Sequence, residues 1–198
     1  RHAAWRAANE LAQLGLLLED TAEEINRPPG NAKAWFDSYT APQGWFRIDQ
    51  HFRLARYRLS RLSESAELAN GARQVFESYD TLLERIATEF TKALKDSGWQ
   101  VDGVLRQEEI FQEHVAGHSE PVAYLLADAM RYEMGAELAQ LVESSGGVAI
   151  RLEPAVAVAP PITDLGMAAL MPGAERSFSM TESPKGVTGT IDRRPLVG

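Results

Sequence analysis

The sequence predicts a helical region over residues 1–117, followed over 118–198 by the first part of an α/β domain with a mainly parallel sheet. Three observations predict it. Apolar residues recur at three- and four-residue steps through the first hundred positions, the period of helices with one buried face. The pattern changes near Ser119, where 122–127 (VAYLLA) is a continuous apolar run of strand length between Pro121 and Asp128. A helical stretch and a second apolar run follow within about 30 residues, which is the layout of a β-α-β unit.

The elements can be justified in chain order. Trp5, Ala8, Leu11, Leu14, Leu18, Ala22 and Ile25 mark a helix over 3–26, stopped by Pro28, Pro29 and Gly30. After a loop rich in Trp and Tyr, a second helix is expected over 43–68, broken at Asn70–Gly71. A third is expected over 72–96, closed by Ser97–Gly98, and a short fourth over 105–116. Trp5, Trp35, Trp45 and Trp99 are expected to anchor the helix packing. Beyond the boundary, 122–127 reads as a strand, 129–144 as a helix, and VAIRLEP as a second strand. APPITDLGMAALMPG reads as extended chain, a helix over 164–171 and a Pro172–Gly173 stop. The tail reads as two strands around a turn at 184–186.

Composition narrows the function. A net charge of −8 argues against a broadly basic surface that coats nucleic acid. With no cysteine there are no disulfides and no thiolate metal sites, which fits a reducing, cytoplasmic setting. No apolar stretch approaches the roughly 20 residues of a membrane span, so no membrane partner is expected. The first residues, RHAAWRAANELAQL, read as mid-helix and begin without Met, so the chain is expected to be a piece of a longer protein.

Two positions carry candidate chemistry. Asp128 stands where a parallel strand would end, the edge at which ligands collect in open α/β sheets. Its carboxylate is a hard oxygen donor suited to a divalent cation, or else an N-cap for a helix starting at Ala129. Thr163, after Pro160 and Pro161, stands at a helix start. There its hydroxyl is either a cap or, beside a cation and a phosphate, a nucleophile. In a parallel sheet both residues would face one rim.

On these residues the sequence resembles a known family. LLADAMRYEMGAELAQL followed by PPITDLGMAALMPG is similar to the PglZ domain of BREX-type phage-defence systems, a branch of the alkaline phosphatase superfamily. The resemblance covers roughly residues 120–195. It implies an alkaline-phosphatase-like domain and, in the intact protein, a metal-dependent phosphodiesterase acting in antiviral defence. The alternative it leaves is a non-catalytic scaffold that docks defence proteins. Asp128 matches the metal-binding aspartate, and Thr163 the nucleophile that also contacts metal. Arg131 and Glu133 match the R-Y-E pattern with structural roles. The resemblance also implies zinc or a similar ion as cofactor, other BREX proteins as partners, and DNA or nucleotides as candidate ligands. The superfamily's remaining Asp and His ligands lie well after the nucleophile. Here His2, His51, His114 and His118 all precede Asp128, so the second half of the site is expected beyond Gly198.

Weaker signals have plainer explanations. His114 and His118, four apart, have the spacing of a zinc pair but no intervening H-E-x-x-H glutamate. Arg47, Arg53, Arg56, Arg58 and Arg61, with Phe52 and Tyr57, suit either a nucleic-acid backbone or a salt-bridged helix, the latter being expected.

Overall fold

The computed structural model describes residues 2–62, 66–183 and 186–195. The chain forms two compact units, one of Arg1–Asp102 with Tyr132–Val148, the other of Gly103–Arg131 with Ala149–Gly198.

The first unit is helical. Helix α1, His2–Ile25, buries Ala7, Leu11, Leu14, Leu18 and Ile25 along one stripe, as its periodicity requires. Helix α2, Ala32–Thr40, occupies part of the expected loop, with Asn31 as N-cap accepting from the Ala34 amide. Helix α3, Phe46–Ser60, packs along α1. Helix α4, Ala66–Asp96, runs through Asn70–Gly71 without the expected break. A mid-helix glycine costs about 1 kcal/mol, and the burial of Ala72, Tyr79 and Leu82 on one stripe of α4 outweighs it. At its end Gly98 and Trp99 take φ of 68° and 65°, and the Trp99 amide donates to the Leu94 carbonyl.

The core joins Leu14, Leu18, Ile25, Trp35, Trp45, Ile48, Tyr79 and Leu82. Trp35 and Trp45 meet edge to face at 5.4 Å. Trp5 and Trp99 are instead 75% and 63% exposed, correcting the expectation that all four tryptophans anchor packing. Two buried carboxylates are paired across helices. Asp49 accepts from Tyr39 and Tyr79, while Glu10 meets His51 Nδ1 and Arg58, each at 2.6 Å. Two of the α3 arginines form salt bridges, Arg58 with Glu10 and Arg53 with Glu137, while Arg56 lies over the Phe52 ring.

Helix α6, Tyr132–Ser145, also belongs to this unit and packs on α3, with Glu133 and Ala136 buried. The segments that flank it in sequence, 122–127 and 148–154, form no strands among the described residues, so the expected β-α-β unit is not formed by them.

The second unit combines short helices and two small sheets. Strand β1, Leu105–Arg106, leads through a 3-10 turn, Gln107–Glu109, into helix α5, Ile110–His114, where a helix over 105–116 was expected. β1 pairs in parallel with β2, Ala155–Val156. The α plus α/β character thus includes a parallel pair, but not from the expected segments. Residues 122–127 form no strand among the described residues, and neither do 148–154. An apolar run without a hydrogen-bonding neighbour forms no strand, and here it leaves Leu125 89% exposed. Helix α7, Thr163–Ala169, is followed by α8, Ala174–Ser177, after the Pro172–Gly173 stop. Strands β3, Ser179–Ser183, β4, Gly186–Ile191, and β5, Arg194–Pro195, form the larger sheet, which is antiparallel. The turn expected at 184–186 falls at residues 184 and 185 outside the described residues.

Candidate functional site

The site is assembled on α7 in the second unit. Leu165, Ala168 and Ala169 are buried and press α7 onto β4. The approach is so close that a Cβ added at Gly189 of β4 would stand 2.6 Å from the Ala168 Cβ. The buried side of α7 is thereby defined, and Thr163, its first residue, is left exposed. Its hydroxyl does not cap the helix. The N-cap is Ile162, which makes no side-chain cap bond.

Asp128 likewise caps nothing, because α6 begins four residues later at Tyr132. It lies in a tight turn whose next residue, Ala129, takes φ of 54°. A left-handed alanine costs roughly 1 kcal/mol or more, a strain often found at functional positions. The segment leading to Asp128 is tied down by Tyr124, whose hydroxyl donates to the Leu170 carbonyl at 3.1 Å and whose ring meets Phe111 edge to face. Burial pushes the Tyr124 phenol pKa up.

With both cap roles excluded, the two side chains meet each other. The Thr163 hydroxyl donates to Asp128 Oδ1 at 3.3 Å. Two hard oxygens at that separation match adjacent coordination positions about an ion, which for oxygen ligands near 2.1 Å stand roughly 3 Å apart. The donor chemistry and spacing therefore fit two ligands of a divalent cation. Among the described residues no group of three or more His, Asp or Glu converges to complete such a site.

The other candidates sit elsewhere. Glu133 is fully buried on α6, its Oε1 4.0 Å from Arg53 Nε, with Arg53 also bound to Glu137. Arg131 is exposed between the Asp128 turn and α6. His114 Nε2 lies 3.4 Å from Glu153, which also pairs with Arg151, and His118 is exposed. Sequence reasoning passed over Tyr124 and Gln107, which fasten the segments bearing Asp128 and Thr163. A polar side chain inside an apolar run is a signal for Tyr124. Gln107 carried none.

Comparison with known sequences follows the same residues. Residues 107–185 match the family model of the BREX system PglZ alkaline phosphatase-like domain. This segment is similar to the PglZ family. The chain is also 30% identical over 139 residues to the alkaline phosphatase-like protein BrxZ of Escherichia coli O9:H4 (strain HS), covering 64% of this chain. It spans about one sixth of that relative, 16% of its length. No solved structure matches the chain significantly. The PglZ match contains both Asp128 and Thr163. Among the described residues, no helix is long and apolar enough to cross a membrane.

Proposed function

We propose that the complete protein is a metal-dependent hydrolase of phosphoric esters, with phosphodiesters of nucleic acid or nucleotides as substrates, working with other BREX proteins in phage defence. The observation that carries this reading is the 3.3 Å contact between the Thr163 hydroxyl and Asp128 inside the PglZ match. Asp128 and Thr163 would hold a divalent cation, zinc being the expected one, with the remaining ligands supplied by the complete protein. Such a cation supplies positive charge that makes an ionised oxygen accessible near neutral pH.

In this reading Asp128 orients the hydroxyl and accepts its proton in a hydrogen bond, leaving a lone pair of Thr163 Oγ1 free to face phosphorus. Attack forms an Oγ1–P bond and breaks the bond to the leaving alcohol, which departs with the proton. Water then cleaves the phosphothreonine and restores the hydroxyl. The exposure of both side chains leaves them open to a large substrate.

The test is hydrolysis of bis(p-nitrophenyl) phosphate by the complete protein with zinc. Thr163→Ala and Asp128→Ala are each expected to lose on the order of 10²-fold or more in kcat. Full activity in both variants would remove Thr163 and Asp128 from the chemistry, and a complete wild-type protein with no activity would leave the docking scaffold as the better reading.

A further inference from the structure

We infer that Gln107 is a positioning residue for Thr163, its side-chain amide clamping both flanks of the loop that carries the hydroxyl. The inference rests on the reading of Thr163 given above. Gln107 Oε1 accepts from the Val158 amide at 3.0 Å, and Gln107 Nε2 donates to the Gly166 carbonyl at 3.1 Å. Thr163 lies between these two attachment points.

The loop needs such a clamp. Pro160 and Pro161 have no amide hydrogen, so this stretch has few donors with which to tie itself down. Its internal bonds begin at Ile162, which donates to the Pro160 carbonyl, and continue as Leu165 and Gly166 donate to Ile162. Upstream of these, the hold on Val158 comes from Gln107. A neutral amide can accept from one flank and donate to the other at once through two separate atoms. A carboxylate lacks the donor, and an ammonium lacks the acceptor.

Gln107 is itself held firmly. It opens the 3-10 turn, where the Arg106 amide donates to Glu109 Oε2 at 2.9 Å and the Arg106 guanidinium binds Oε1. Arg106 is paired with Val156 in the parallel ladder, two residues before Val158. At the other flank, a Cβ added at Gly166 would stand 3.4 Å from Gln107 Nε2, so the amide fills the space that glycine leaves. The clamp thus joins the β1–β2 ladder to the first turn of α7, where Thr163 meets Asp128.

The experiment is NMR on the chain, comparing wild type with Gln107→Met, which keeps the shape and removes both bonds, and Gln107→Glu, which keeps the acceptor alone. Gln107→Met is expected to speed exchange of the Val158 amide about tenfold and to abolish the Thr163 methyl to Asp128 Hβ NOE. Gln107→Glu is expected to restore Val158 protection but not that NOE, because the Gly166 carbonyl has lost its donor. If Gln107→Met keeps the NOE, or if Gln107→Glu loses Val158 protection, the positioning role is overturned. Should Gln107→Met fail to fold, the Gln107→Glu pattern alone decides. None of these readouts depends on hydrolysis, so failure of the catalytic reading, seen in the Thr163→Ala assay, is separately visible.

Discussion

Gly189 of β4 lies against Ala168 of α7 so closely that a methyl at 189 would come within 2.6 Å of the Ala168 Cβ, and within 3.2 Å of the Asp164 carbonyl and the Phe178 ring. None of the three is the far end of a flexible chain. Gly189→Ala must therefore push α7 off the sheet. It is expected to destabilise the second unit by about 1–3 kcal/mol, read as a lower midpoint in urea unfolding. An unchanged midpoint would mean that α7 does not pack on β4 as described.

Thr163 makes the opposite prediction. Were it an N-cap, Thr163→Ala would cost about 1 kcal/mol. With Ile162 at the cap and the hydroxyl exposed toward Asp128, the cost is expected to stay within about 0.5 kcal/mol. Thermal unfolding measures this directly, and a cost near that of a lost cap would contradict the geometry.

In the helical unit Asp49 binds two phenols, Tyr39 at 2.6 Å and Tyr79 at 2.7 Å. Tyr79→Phe keeps the ring stacked on Phe52 at 3.8 Å and removes one charge-assisted bond from a buried carboxylate. The expected loss is about 1.5–3 kcal/mol, measured by urea unfolding. A loss no larger than that of an exposed substitution would remove Asp49 from the stabilising set.

Acid should loosen the 3-10 turn that bears Gln107. The Arg106 guanidinium, hydrogen-bonded to Glu109, holds the Glu109 carboxyl below its usual range, and the Arg106 amide adds to this. A depressed folded pKa contributes stability above the unfolded carboxyl pKa and loses it as pH falls through the folded value. The contribution is small because the pair is largely exposed. A carbon-detected titration of Glu109 should show a midpoint below that of an unstructured glutamate, and Arg106→Ala should return it to the ordinary range.

Much of this protein is legible in local chemistry. The helix α1 stripe, the Pro172–Gly173 stop, the antiparallel tail and the pairing of Asp128 with Thr163 as the residues of interest all follow from periodicity, breakers and motif spacing. Each depends on residues a few positions apart, or on a pattern the chain carries along one element. Tertiary structure decided what those signals leave open. Gly71 reads as a break, yet α4 continues through it because its buried stripe is worth more than one glycine's preference. The run 122–127 has the composition of a strand, but a strand exists only where a second backbone offers hydrogen bonds, and composition does not name that neighbour. Trp5 and Trp99 have the chemistry of anchors without a facing surface. Gln107 reaches across 51 and 59 residues to Val158 and Gly166, a juxtaposition that no local pattern encodes. The sequence by itself singled out Asp128 and Thr163 as the candidates for chemistry. Only the packing of α7 on β4 and the turn at Ala129 decided that Asp128 and Thr163 abandon capping and meet.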